Sequence, residues 1–174
     1  ATAFKLVQAA IIYGKQINYL PCMSIPDGWD RWLLDLVAIA TVADMVPLVG
    51  ENRVLARYGL FVLRKSQRPG IAALCRALRI SQRELTEDDI GFSIAPRINA
   101  ASRMDKPELG FLLLSTKDIA TAEQTAATLE KLNKERKGVV ASMVKEIKKR
   151  LGHRADAPMI VLGDPDWKPA LLGL

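Results

Sequence analysis

Asp44 is the residue of this chain whose position most invites a chemical role. An apolar stretch from Leu33 to Val42, which contains one acid at Asp35, comes just before it. A carboxylate at the end of a buried element is costly to bury without a partner, and carboxylate oxygens are ligands for hard divalent ions. The pattern alone favours a commoner use of aspartate, in which Asp44 caps a helix or accepts a hydrogen bond from a loop amide. Metal ligation is the alternative.

A second group of chemically useful residues lies in the segment 91–104, where Arg97 and Arg103 flank Asn99. A guanidinium group offers a planar fork that matches the oxygens of a phosphate. The small residues at 100–102 would let the backbone approach a ligand closely. Spacing alone leaves the ordinary alternative open, in which arginines beside a helix turn form surface ion pairs.

Two stretches of the sequence resemble one family of enzymes. The segment DLVAIATVADMVPLVGENR, from Asp35 to Arg53, resembles the last metal-binding motif of the DHH phosphoesterase superfamily, in its RecJ-type single-stranded-DNA exonuclease branch. The segment APRINAASRMD, from Ala95 to Asp105, resembles the same branch. The resemblance extends over nearly the whole chain. One departure is Ser102, where relatives usually have Gly, so a side chain is added where close backbone approach matters.

The resemblance implies a role for each candidate residue. Asp44 would be a catalytic metal ligand for Mn²⁺ or Mg²⁺, and Asp35 a capping or structural acid. Arg103 would hold a nucleic-acid phosphate near the 5′ end, helped by Arg97 and Asn99. These assignments come from the family and not from the spacing of the residues.

The resemblance also implies that the chain is an internal fragment. The family's two aspartate motifs and its Asp-His-His motif belong upstream of this sequence, and His153 is the only histidine present. One carboxylate cannot complete a site for two metal ions, so the chain is expected to be inactive as a nuclease by itself. The two-metal site would be completed by residues outside it.

The implied function of the whole enzyme is metal-dependent 5′-to-3′ hydrolysis of single-stranded DNA in DNA repair and recombination. Its partners would be single-stranded DNA, a single-stranded-DNA-binding protein and a helicase. One alternative is a DHH phosphodiesterase that acts on short oligonucleotides or cyclic dinucleotides, against which the PRINAASRMD segment argues. Another is a non-catalytic nucleic-acid-binding replication scaffold, against which the presence of Asp44 argues.

Composition places the chain among ordinary soluble globular proteins, with 174 residues, 49% of them hydrophobic and 25% charged. No apolar run reaches the roughly 18 residues that a membrane span needs, and no signal peptide is visible. Cys22 and Cys75 lie far apart and lack metal-ligand spacing. Both are therefore expected to be reduced, which suits a cytoplasmic protein.

The net charge of +6 comes from one region. Between Lys131 and Arg154 there are nine Lys or Arg residues and only two Glu residues. Such a stripe attracts phosphate backbones, although a solvated helix face is the ordinary interpretation. The stripe contains no aromatic residue, so it offers no platform for base stacking.

The elements that must position these residues are mostly helices, and the predicted fold class is α/β with little strand in this part. Residues 1–114 would form the C-terminal part of a DHH domain, residues 115–152 a long connector helix, and residues 153–174 the start of a DHH-associated domain. The predicted helices are Ala3–Tyr13 ended by Gly14, Glu51–Lys65, Ile71–Leu78, Pro107–Leu114 and Ile119–Leu151 ended by Gly152. A coiled coil is the alternative for the last of them.

Some local predictions are less direct. Leu33–Val42 is compatible with a buried helix or a buried strand, because periodicity does not separate the two in a short apolar run. Asn18–Asp30 reads as a loop, with Trp29 and Trp32 packing its far end on the core. Pro158–Leu162 has the composition of a strand. Capping-box spacing occurs twice, at Thr86 with Asp89 and at Ser115 with Asp118.

Overall fold

A computed structural model describes residues 1–152 and 159–172, and it is helical throughout its regular parts. The α-helices are α1 (Thr2–Gln16), α2 (Leu20–Met23), α3 (Leu34–Ala43), α4 (Gly50–Leu63), α5 (Pro69–Leu78), α6 (Ala95–Arg103), α7 (Pro107–Ser115) and α8 (Ile119–Leu151). Short 3-10 helices span Trp29–Leu33, Gln82–Glu84 and Pro169–Leu171, and a π-helix spans Asp89–Ile94.

The predicted helices all form, and the longest of them agrees with the sequence at both ends. The helix α8 has the predicted bounds, and Gly152 ends it with a positive φ of 48°. The ambiguous stretch 33–42 is the helix α3, and both of its faces are largely buried, which explains why it shows no clear periodicity. At Thr86 the predicted capping box forms, since the Asp89 carboxylate accepts from the Thr86 N–H at 2.9 Å and the Asp89 N–H donates to the Thr86 hydroxyl.

The predicted strand at Pro158–Leu162 is wrong for the residues that can be described. Met159 to Leu162 have no regular structure, and residues 1–152 and 159–172 contain no strand with which they could pair. A strand needs a neighbour to satisfy its backbone N–H and C=O groups, so a strand-like composition alone does not produce one. Pro158 and His153 lie outside the described residues.

Three local predictions also need correction. Gly14 does not end α1, which continues to Gln16, because Gly14 is instead the point where Cys22 packs closely against the helix. The supposed loop 18–30 contains α2. Ser115 does not cap α8: its hydroxyl donates to the Phe111 carbonyl at 2.7 Å, and Asp118 is the N-cap, accepting from the Thr121 N–H at 2.7 Å.

The tryptophans do not pack on the core as predicted. Within the described chain, Trp29 is 44% exposed and Trp32 is 54% exposed. The apolar side chains of α1 and α4 are also only partly covered, since Phe4 and Leu55 are buried while Leu6 and Tyr58 are exposed. The spacing of apolar residues therefore identifies the helices but does not show how many of those residues the described chain buries.

The core forms where α5, α6 and α7 pack against α8, whose buried residues lie mostly between Ala122 and Asn133. The helices α3 and α4 pack as a close pair. Seven large apolar side chains of the described residues are almost completely enclosed: Leu63, Leu74, Leu85, Ile90, Ile94, Leu113 and Leu129. After α8 the chain returns along it, so that Trp167 and Leu171 pack against Met143.

Gly59 allows the close contact of α3 with α4, and this predicts opposite effects for two Gly→Ala changes. A Cβ at position 59 would overlap the Leu34 carbonyl oxygen and the Ala38 Cβ, so Gly59→Ala should lower the free energy of unfolding by about 1–3 kcal/mol. Gly138 lies within α8 with nothing near its Cβ position, so Gly138→Ala should raise it by about 0.5–1 kcal/mol. Urea unfolding measures both, and stabilisation by Gly59→Ala would contradict the packing.

Candidate metal and phosphate site

Asp44 lies at the C-terminal end of α3, in a turn that its neighbours close. The Val46 N–H donates to the Thr41 carbonyl and the Met45 N–H to the Val42 carbonyl, both at 3.1 Å. This is the Schellman arrangement, and Met45 takes the left-handed position with a φ of 49°. Glycine usually fills that position, and the conformation is unfavourable for methionine because of its Cβ. The backbone is therefore strained at the residue directly after Asp44.

The Asp44 carboxylate is exposed. Among the described residues no group donates a side-chain hydrogen bond or ion pair to it, and α4, which starts six residues later, has Val49 as its N-cap with no side-chain cap. Asp44 is the C-cap residue of α3 through its backbone N–H, which donates to the Ala40 carbonyl at 3.1 Å, but among the described residues its carboxylate neither caps a helix nor accepts from a loop amide. The oxygen is a suitable donor for a hard cation. However, residues 1–152 and 159–172 contain no group of three His, Cys, Asp or Glu side chains that could hold a metal ion, so these residues alone do not form a metal site.

Asp35, at the other end of α3, is a structural acid. Its side chain is 3% exposed and accepts from the Arg68 guanidinium at 2.8 Å and from the Ser66 hydroxyl at 2.7 Å. The Arg68 side chain also donates to the Leu114 carbonyl at 3.1 Å. This buried network joins the start of α3 to the start of α5 and the end of α7, and so fixes the direction in which α3 presents Asp44.

The second motif block begins beside the end of α3. The π-helix contacts α3, with Gly91 close to Val42, and it leads directly into α6. Pro96 lies at the junction, and because it has no backbone N–H it cannot continue an ordinary helical hydrogen-bond pattern. π-helical turns often occur at functional sites. The fold thus brings the two motif blocks together.

The three candidate phosphate-binding residues have different surroundings. Asn99 is exposed. Arg97 is half-buried and donates to the Glu130 carboxylate at 2.9 Å and to the Ser93 carbonyl at 3.1 Å. Arg103, in the last turn of α6, donates to the Ala170 carbonyl. Arg97 therefore ties α6 to α8, while Arg103 lies where α6 meets the returning chain.

The small residues of this block serve helix packing. Ala100 and Ala101 are fully buried in the contact of α6 with its neighbours, and only Ser102 is exposed. Their small size lets α6 approach α8 and α7 closely, whereas the sequence suggested close approach to a ligand. Because Ser102 is exposed, its side chain does not enter this packing.

Sequence reasoning missed the contribution of α8. The Glu130 carboxylate accepts a hydrogen bond from Arg97. Asn133 is only 1% exposed, and its side-chain oxygen accepts two hydrogen bonds from Arg136, at 3.0 and 3.3 Å. Burial lowers the pKa of Arg136, and the positive charges of Arg103 and Arg97 lower it further. The available signal was Arg136 itself, which interrupts the apolar spacing of α8.

Comparison with known proteins agrees with the two motifs. The chain is 38% identical over 143 residues to the single-stranded-DNA-specific exonuclease RecJ of Bacillus subtilis, and 36% identical over 178 residues to RecJ of Haemophilus influenzae. The chain is homologous to part of the RecJ exonucleases. The first alignment covers 82% of this chain and 18% of the relative, and the second covers 99% and 31%. No protein-family model matches the chain.

Solved RecJ structures have the same fold over this part. The structure of Thermus thermophilus RecJ in complex with Mn²⁺ superposes with a TM-score of 0.75 at 33% identity, covering 87% of this chain and 22% of RecJ. Thermus thermophilus RecJ in complex with Mg²⁺ gives a TM-score of 0.73 at 35% identity, covering 87% of this chain and 23% of RecJ. None of the helices in residues 1–152 and 159–172 is both long and apolar enough to cross a membrane.

Proposed function

We propose that this chain is the part of a RecJ-type exonuclease that supplies one metal-binding carboxylate and the residues that hold a substrate phosphate. The whole enzyme would degrade single-stranded DNA from its 5′ end. The observation that carries the proposal is the pairing of the two motif blocks, with the exposed Asp44 carboxylate at the end of α3 and the arginine-bearing α6 beside it. RecJ relatives with bound Mn²⁺ or Mg²⁺ support the choice of ion.

In this proposal each candidate residue has one task. Asp44 contributes one oxygen ligand to a site for Mn²⁺ or Mg²⁺ whose other ligands come from outside this chain. Arg103 binds a phosphate of the strand, Asn99 is close enough in sequence to assist, and Arg97 holds α6 on α8 through Glu130. Asp35 acts only through structure, by fixing α3.

The chain by itself is expected to have no nuclease activity, because a single carboxylate cannot hold a pair of metal ions. Purified chain should leave a 5′-labelled single-stranded oligonucleotide intact in Mn²⁺ over a time in which a RecJ relative degrades it completely. Degradation that depends on Mn²⁺ and is lost on Asp44→Asn would contradict this division of the site.

The basic side of α8 is proposed to border the path of the DNA strand. Lys145, Lys148 and Lys149 are exposed, and replacing all three with Gln should reduce the salt dependence of single-stranded-DNA binding. The slope of log affinity against log salt is expected to fall by about 0.7 for each phosphate that the protein no longer neutralises. A matched triple variant at Lys5, Lys65 and Lys117 removes the same charge elsewhere. Equal slopes for the two variants would show that this side of α8 is only a solvated face.

The cellular setting is part of the same proposal. A RecJ-type enzyme would act in DNA repair and recombination in the cytoplasm, with a single-stranded-DNA-binding protein and a helicase as partners. Both cysteines are free, and Cys75 is buried, with burial the main cause that raises the pKa of its thiol to about 11. Such thiols suit a reducing compartment.

A further inference from the structure

We propose that Arg136 of α8 is a second phosphate-binding arginine beside Arg103, and that the two form one cluster with the structural Arg97 at the contact of α6 with α8. The ligand class is a phosphate group of a nucleic-acid strand, so the inference rests on the proposed function and deepens it. Nothing in either motif block contains Arg136, which lies 31 residues beyond the second block.

The packing of α6 on α8 brings Arg136 close to Arg103. Arg97 on α6 pairs with Glu130 on α8. Arg103 and Arg136 each lie six residues further along their helices, a rise of about 9 Å in both. Arg103 donates to the Ala170 carbonyl. The next residue, Leu171, packs against Met143, which follows Arg136 on α8. The two helices therefore run alongside each other in the same direction, which brings Arg136 to the level of Arg103.

Arg136 is held in place by the side chain of Asn133. Its Nε and Nη2 groups donate to the Asn133 side-chain oxygen at 3.3 and 3.0 Å, and Asn133 is itself fully buried. The contact fixes the plane of the guanidinium and uses two of its five N–H donors. Three donors remain, including both on Nη1, and a fixed fork loses less entropy on binding a phosphate than a free one.

The positive charge of the cluster is only partly balanced by carboxylates. Within the described chain only Arg97 of the three has a carboxylate partner, and Glu130 also lies 3.7 Å from Lys134. Arg103 and Arg136 make their hydrogen bonds to neutral oxygens. The lowered pKa of Arg136 agrees with positive charge concentrated in a partly buried place. A bound phosphate would offset that repulsion and take up the remaining donors.

The test compares Arg136→Gln with Lys137→Gln, which removes the same charge from an exposed neighbour on the same helix. Affinity of the chain for a 5′-phosphorylated oligothymidylate is measured by fluorescence anisotropy. Arg136→Gln is expected to weaken binding roughly tenfold, since a hydrogen-bonded charge is removed, and Lys137→Gln by no more than about twofold. If both variants bind the oligothymidylate and do so with equal affinity, the proposal is overturned.

Two further measurements keep the outcome decisive. Arg136→Lys keeps the positive charge but loses the planar fork of the guanidinium, so it should bind the oligothymidylate less tightly than the wild type does. If circular dichroism shows that Arg136→Gln has lost helix content, the affinity of Arg136→Lys decides in its place.

Inorganic pyrophosphate separates the proposed arginine cluster from the proposed DNA-binding function. If it raises the melting temperature of the wild type and of Lys137→Gln but not of Arg136→Gln, while the oligothymidylate does not bind, the cluster stands and the DNA-binding role fails. If neither probe distinguishes the variants, the cluster fails.

Discussion

Asp44→Asn is expected to reduce Mn²⁺-dependent hydrolysis of single-stranded DNA by about 10³-fold or more in a full-length protein that contains this chain. Loss of a charged metal ligand removes several kcal/mol of stabilisation from a metal-assisted reaction. The fold should be unaffected, because the side chain is exposed and no described residue bonds it. The free energy of unfolding should therefore change by no more than about 0.5 kcal/mol.

A matched control for this prediction is Glu87→Gln, which removes one negative charge from an exposed position outside both motif blocks. It should leave the rate close to that of the wild type. Initial rates are measured at saturating Mn²⁺ and again across a range of Mn²⁺ concentrations. Wild-type rates in Asp44→Asn at every concentration would show that Asp44 is not a metal ligand.

Asp35→Ala is expected to have the largest effect on stability, lowering the free energy of unfolding by about 3–5 kcal/mol. The change leaves the Arg68 guanidinium in a partly buried place without its carboxylate, and it also removes the acceptor of the Ser66 hydroxyl. Breaking one side of a buried ion pair is costly because the remaining charge cannot regain its hydration. Urea unfolding followed by circular dichroism gives the value.

The contrast for Asp35 is the exposed pair of Arg76 with Glu123, in which both side chains are 57% exposed. Glu123→Ala should cost no more than about 1 kcal/mol, because water already screens that attraction. If Asp35→Ala costs as little as Glu123→Ala, the network does not hold the start of α3. The claim that Asp35 fixes the direction of Asp44 would then fail.

Local rules predicted the parts of the fold that depend on local interactions. The bounds of α8 followed from the three- and four-residue spacing of its apolar side chains and from Gly152 at its end. The turn at Thr86 followed from a reciprocal side-chain pattern that involves only four residues. Such features carry their own hydrogen bonds, so the sequence around them is sufficient to predict them.

Features that depend on distant partners could not be predicted in the same way. Met159–Leu162 has the composition of a strand but no described strand beside it, and Trp32 is 54% exposed although an aromatic side chain was expected to pack on the core. The surroundings of Arg97 depend on Glu130, which is 33 residues away. Resemblance to a family suggested which arginines matter, whereas their actual contacts required the packing of α6 on α8.

The most direct test of the central claim is the polarity and product of the reaction of the full-length protein. Single-stranded DNA labelled at its 5′ or its 3′ end is incubated with Mn²⁺, and the products are separated over time. A 5′ label is expected to appear at once as a mononucleotide, while a 3′ label remains in fragments that shorten progressively. Release from the 3′ end, a preference for short oligonucleotides or cyclic dinucleotides, or binding of single-stranded DNA without hydrolysis would contradict the central claim.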